Sequence, residues 1–286
     1  MMKRYAIYIL LLLFSLQVGI AQAQDNVSKQ VVKVLAIGNS FSEDALENYL
    51  HDLAAAADRE IIIGNLYIGG APLDLHVRNV SADKAVYSYR KVWKDGRKTT
   101  QESTSISTAL ADEDWDFVSL QQASPLSGQY TVIMESLPEL MDYVKGKVPA
   151  HTQLVYHQTW AYQTDSQHDG FINYEKSQSQ MYAAIASATK QISNQGGFAF
   201  VVPCGTAIQN ARSSSIGDHF TRDGYHLELN YGRFTAACTW YEKLFKLDVR
   251  KNTYRPEGVT EMQEQIAKSA AHAAVKKPFK TSKIKK

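Results

Sequence analysis

The chain has 286 residues, 44% of them hydrophobic, with a formal net charge of +2 at neutral pH and two cysteines. A balance this close to neutral excludes charge-driven binding to nucleic acid, and about 260 residues behind a leader suffice for one α/β core without covalent staples. Export permits a disulfide between Cys204 and Cys238 but nothing requires one, and two buried small hydrophobes are the plainer reading.

The chain opens Met1-Met2-Lys3-Arg4, continues with an apolar stretch from Tyr5 to Ile20, and reaches Ala21-Gln22-Ala23 before its first acidic residue, Asp25. This pattern predicts a secretory signal peptide over 1–23, cleaved after Ala23, with no membrane anchor afterwards. The protein is therefore expected outside the cytoplasm, periplasmic or secreted. Residues 24–30 read as a linker, 31–250 as the main domain and 251–286 as a final helix with a lysine-rich tail. That tail, from Lys276 to Lys286, reads as solvated and frayed rather than as a binding arm.

Strand-like runs recur at 31–37, 61–68, 117–120, 154–157 and 198–202, separated mostly by helix-length amphipathic segments. The helical candidates are 43–57, 131–144, 174–193, 229–245 and 259–274. Alternation of this kind predicts an α/β fold with a parallel sheet covered on both faces. One segment breaks the rhythm, because Asp95-Gly96 joins two alternating runs within 85–104 and signals a β-hairpin insertion. Such an insertion shapes a substrate rim or merely decorates the fold.

Chemistry concentrates at the carboxyl ends of these strands, where open parallel sheets bind ligands. The first strand ends in Gly38-Asn39-Ser40 and passes directly into a helical pattern, which exposes a serine hydroxyl beside unpaired helix amides. Ser40-x-x-Glu43 equally fits a capping box, in which the serine only satisfies those amides. Far downstream, Asp223-Gly224-Tyr225-His226 spaces a carboxylate and an imidazole across one turn, which suits a base and its orienting acid for acyl transfer.

These motifs resemble the SGNH, or GDSL-like, hydrolase superfamily. Gly38-Asn39-Ser40-Phe41 matches its first block, with asparagine in place of the usual aspartate; Gly69-Gly70 matches the second; and Asp223-x-x-His226 matches the last. The third block departs from the pattern, since Ser119-Leu120-Gln121-Gln122-Ala123-Ser124 stands where Gly-x-Asn-Asp is common and is closer to the Gln-Gly-Glu-Ser form of the acetyl-esterase branch. The likeness runs from Val31 to Leu247, and the whole is similar to an exported SGNH-like family with a Gly-Asn-Ser-Phe opening. It implies a three-layer flavodoxin-like α/β/α fold and a catalytic triad of Ser40, His226 and Asp223. It also implies an oxyanion hole from the Ser40 and Gly70 amides and the Gln121 side chain, with Gln122 the alternative donor.

On this reading the protein is a serine esterase for acyl or methyl esters, with carbohydrate the favoured substrate class and no metal or other cofactor required. The aromatic and amide-rich stretch 155–165 suggests that Trp160 stacks on a sugar ring, unless Trp160 and Tyr162 simply pack under a long loop. Two other classes stay open. One is a noncatalytic carbohydrate-binding protein that keeps the fold, suggested by Asn39 and the altered third block. The other is a metal-dependent hydrolase built on Asp218, His219, Asp223 and His226, whose spacing is not diagnostic.

Overall fold

A computed structural model describes residues 31–285. The leader and linker expected over residues 1–30 lie outside the described residues.

Seven strands form one sheet: β1 (Val32–Gly38), β2 (Ile61–Tyr67), β3 (Tyr87–Val92), β4 (Lys98–Thr104), β5 (Phe117–Leu120), β6 (Gln153–His157) and β7 (Phe200–Val202). Their order is β4-β3-β2-β1-β5-β6-β7. β2, β1, β5, β6 and β7 are mutually parallel, whereas β2 to β3 and β3 to β4 are antiparallel. The segment 85–104 is the expected hairpin, turned at Gly96 with φ of +82°, but it lengthens the central sheet at the edge beside β2. The sheet is mixed for this reason.

The helices are α1 (Ser40–Leu46), α2 (Leu50–Ala55), α3 (Leu73–Ser81), α4 (Ile106–Asp112), α5 (Tyr130–Lys145), α6 (Gln178–Gln195), α7 (Cys204–Ala211), α8 (Tyr231–Phe245) and α9 (Glu261–Lys276). The period of two along the strands divides the core. Val34, Ala36, Ile61, Ile63 and Val155 point toward α1, α2, α7, α8 and α9, while Leu35, Ile37, Ile62, Leu154 and Tyr156 meet residues of α3, α4 and α5 on the other face. This is the three-layer α/β/α arrangement. Among the described residues no helix is long and apolar enough to cross a membrane.

The helix expected over 43–57 is two helices, because Asn48 Nδ2 donates to the Glu43 carbonyl at 3.3 Å and competes with the helical ladder. The helix expected from Tyr174 begins instead at Gln178, since Glu175 and Lys176 are left-handed, with φ of 55° and 52°, and Ser177 supplies the N-cap. Cys204 and Cys238 are free and buried, packed as small apolar groups.

The lysine-rich tail is not frayed. Thr206 Oγ1 donates to the Pro278 carbonyl at 2.7 Å, Ser282 N to Asn210 Oδ1 at 2.6 Å and Ile284 N to Ser213 Oγ at 2.9 Å. Ile284 itself is buried. Charge density alone suggests solvation, but the backbone bonds and the one apolar side chain dock the segment along α7.

Candidate active site

Ser40 stands at the first position of α1, two residues beyond β1. The cap of that helix is Asn39, whose Oδ1 accepts the Phe41 amide at 3.0 Å, while Ser42 Oγ accepts the Asn39 amide at 3.1 Å. The capping box is therefore Asn39 with Ser42, and the alternative of Ser40 capping with Glu43 does not occur; Glu43 pairs instead with Arg90 at 3.1 Å. With the cap supplied by its neighbour, the Ser40 hydroxyl is left for another partner.

That partner is His226. Ser40 Oγ donates to His226 Nε2 at 2.9 Å across 186 residues of sequence. His226 Nδ1 donates to Asp223 Oδ2 at 2.6 Å, and Asp223 Oδ1 accepts the His226 amide at 2.7 Å. Burial works to raise the Asp223 pKa, yet the His226 ring and the two backbone amides outweigh it and hold the carboxyl below its ordinary value. The loop carrying both groups follows α7 and closes through the Thr221–Leu227 bridge and an Arg222 N to His226 O bond of 2.9 Å.

A buried carboxylate that the sequence reading missed fixes the distance between loop and helix. Asp44, fully buried in α1, accepts the Leu227 amide at 2.8 Å and pairs with Arg222 at 3.1 Å and Arg233 at 2.7 Å. Its signal in the sequence is only its place one helical turn beyond Ser40.

Ser40 opens on a cavity of about 380 Å³ bordered by Tyr67, Gly69, Gly70, Pro125, His168, Tyr225 and His226. Gly70, with φ of +65°, sits in the turn closed by the Ala71 N to Ile68 O bond at 3.2 Å. Ser40 and Gly70 both border this cavity, and neither of their amides enters a hydrogen bond among the described residues. The hairpin does not border it directly, but the Arg90 guanidinium lies 3.8 Å from the centre of the Tyr67 ring and backs that wall. A larger cavity of about 690 Å³ lies near the amino ends of β5, β6 and β7, away from these groups.

Three residues expected at the site lie elsewhere. Gln121 is buried and outside the cavity wall: its Nε2 donates to Asn39 Oδ1 at 2.8 Å and its Oε1 accepts from His157 Nδ1 at 2.7 Å. Its amide is thus used in holding Asn39. Gln122 does not border the cavity either, because its Oε1 is turned to the Leu73 and Ala123 amides. Trp160 has no exposed surface and offers no face to a sugar; it stacks on Phe41 with ring centres 4.2 Å apart, and its Nε1 donates to the Tyr225 carbonyl at 2.7 Å. It packs beneath the long loop and buttresses the neighbours of Ser40 and His226.

The set Asp218, His219, Asp223 and His226 does not converge on a metal position. Asp218 is taken by Arg212 at 2.8 Å and by Thr164, and Asp223 by His226. Among the described residues one group has metal-ligand spacing, Glu242 with Asp248 and His272, and there Arg250 already pairs with Asp248.

The family model described as a domain of unknown function, DUF4886, matches residues 33–274. A crystal structure of a DUF4886 family protein from Bacteroides uniformis ATCC 8492 is 51% identical, covers 89% of this chain and 98% of that one, and superposes with a TM-score of 0.88. A Slackia heliotrinireducens protein described as an SGNH hydrolase is 22% identical over 74% of this chain and 98% of that one, with a TM-score of 0.50. The latter likeness is one of fold, and the α/β/α architecture is of the SGNH type. No curated protein matches the chain.

Proposed function

The chain belongs to the DUF4886 family, and from that premise we propose that it is an exported serine esterase that hydrolyses acyl or methyl esters of carbohydrate. The observation that carries the reading is the unbroken proton path from Ser40 Oγ to His226 Nε2 at 2.9 Å and from His226 Nδ1 to Asp223 at 2.6 Å.

His226 takes the Ser40 proton as the oxygen attacks the ester carbonyl, and Asp223 holds the tautomer and stabilises the imidazolium. The oxyanion forms where Ser40 and Gly70 border the cavity, each amide donor being worth on the order of a hundredfold or more in turnover. His226 then returns its proton to the leaving alcohol, and water resolves the acyl-enzyme by the same relay. Every step is carried by side chains and amides of this chain. The polar and aromatic border, with Tyr67, His168 and Tyr225, suits a hydroxylated alcohol better than an alkyl chain. Export rests on the leader pattern in residues 1–23.

A fluorophosphonate probe tests the reading. It should label the wild-type protein at Ser40, and Ser40→Ala should abolish both labelling and hydrolysis of 4-nitrophenyl acetate while leaving the melting temperature unchanged. A protein that binds sugars yet leaves the probe unreacted is a noncatalytic binder, and the esterase reading then fails.

A further inference from the structure

His168 borders the Ser40 cavity and also a second cavity of about 390 Å³, formed with Ser166, Gln167, Asp169, Ile172 and Lys176. One histidine is thus common to both. Its chemistry is fixed by its neighbour: the Gly170 amide donates to His168 Nδ1 at 3.0 Å, so the neutral ring carries its proton on Nε2. Burial lowers the His168 pKa and favours that neutral form. No acceptor among the described residues is paired with Nε2, so the residue shared by the two cavities keeps one hydrogen-bond donor unused.

The segment that leads into the second cavity is tied to the loop that carries Asp223 and His226. Gln163 N donates to the Gly224 carbonyl at 2.8 Å, and Gly224 lies in the turn between Asp223 and His226. Thr164 donates to Asp218 Oδ2 through its amide at 2.8 Å and its hydroxyl at 2.6 Å. At the far end, Glu175 and Lys176 adopt consecutive left-handed conformations, φ of 55° and 52°, which are unfavourable for residues with a Cβ. The Glu175 N to Ile172 O and Lys176 N to Phe171 O bonds, 3.0 and 3.1 Å, maintain this strained reversal, and it brings Lys176 to the cavity.

The border combines the Ser166 hydroxyl, the Gln167 amide, whose Nε2 already donates to the Asp165 carbonyl at 2.8 Å, a neutral histidine, one carboxylate and one ammonium with the exposed aliphatic surface of Ile172. The two charges cancel. Sugar hydroxyls both donate and accept and so satisfy such a mixed set, and the C–H face of the ring covers the isoleucine; an alkyl chain would desolvate the polar groups without replacing their bonds. We propose that this cavity is a second subsite, which binds the neutral sugar unit next to the one whose ester lies at Ser40, with His168 as the specificity-determining residue between them. The proposal rests on the esterase reading for its direction but on separate residues for its test.

The test compares mono-acetylated gluco-, manno- and xylo-configured monosaccharides with the matching disaccharides. At least one disaccharide should exceed its own monosaccharide about tenfold in kcat/KM, equivalent to roughly 1.4 kcal/mol, and the double variant Gln167→Ala with Lys176→Ala should bring that ratio to near one. A ratio near one for every pair in the wild type, or a ratio that survives in the variant, overturns the subsite even if 4-nitrophenyl acetate is hydrolysed. Wild-type protein inert toward 4-nitrophenyl acetate would instead overturn the esterase reading. Saturation-transfer NMR with the unacetylated disaccharides then decides the subsite: signals lost in the double variant uphold it, and no signal in the wild type ends it.

Discussion

Asp44 accepts the Leu227 amide at 2.8 Å over a separation of 183 residues, and this bond ties the helix that carries Ser40 to the loop that carries His226. A carboxylate with no exposed surface, flanked by Arg222 and Arg233, is costly to disturb because removing it strands two cations. Asp44→Asn should therefore lower unfolding free energy by about 3 kcal/mol, read by urea denaturation. At temperatures where the variant is still folded, its rate of fluorophosphonate labelling should fall at least tenfold. A variant that loses stability but labels at the wild-type rate would make Asp44 structural only.

Asn39 uses both halves of its amide. Oδ1 accepts from Phe41 and Gln121, and Nδ2 donates to the Ala71 carbonyl at 3.0 Å, so one side chain braces α1 against the turn that holds Gly70. Asn39→Asp replaces that donor with an oxygen facing an oxygen. Turnover of 4-nitrophenyl acetate near neutral pH should drop about tenfold or more, by analogy with loss of an oxyanion contact. The ratio of variant to wild-type rate should then rise as pH falls, because a protonated carboxyl donates to Ala71 as the amide does. A ratio that is flat with pH counts against the bracing role.

His157 is buried behind this pair and donates from Nδ1 to Gln121. Burial lowers its pKa from 6.5 to about 3. Its unfolded form therefore binds a proton that the folded form excludes, so its contribution to stability is complete above pH 6.5 and declines as pH falls toward 3. The slope from this residue is about 1.4 kcal/mol per pH unit. His157→Gln, whose amide still reaches Gln121, should flatten the stability profile between pH 6 and 4 by roughly that amount, measured by chemical denaturation at each pH.

The docked tail predicts a cost of truncation. Ending the chain at Lys277 exposes the apolar contact of Ile284 and frees Thr206, Asn210 and Ser213 from their bonds to the tail backbone. A loss of about 2–3 kcal/mol is expected, visible as a lower melting temperature. Labelling at Ser40 should be retained, since the tail runs along α7 and does not border the Ser40 cavity. An unchanged melting temperature would show that the docking contributes nothing.

The sequence by itself determined the sheet and the position of the serine. Apolar runs separated by helix-length amphipathic segments set the five parallel strands, and Asp95-Gly96 between two alternating runs set the hairpin, because these are local signals of burial and turn chemistry. It did not reveal that the hairpin extends the sheet, since strand pairing between distant segments carries no local mark. Short helices such as α3, α4 and α7 also escaped, being stabilised by packing more than by their own periodicity.

Tertiary structure alone decided which polar groups meet. From the sequence, Ser40 is as good a cap as a nucleophile, and only the fold gives the cap to Asn39 and turns the hydroxyl to His226. Gln121 and Trp160 have the right chemistry for substrate contact, yet each is directed inward, to Asn39 and to Phe41. Residue type specifies what a side chain can bond, whereas rotamer and burial, set by packing across the whole chain, fix which bond it makes.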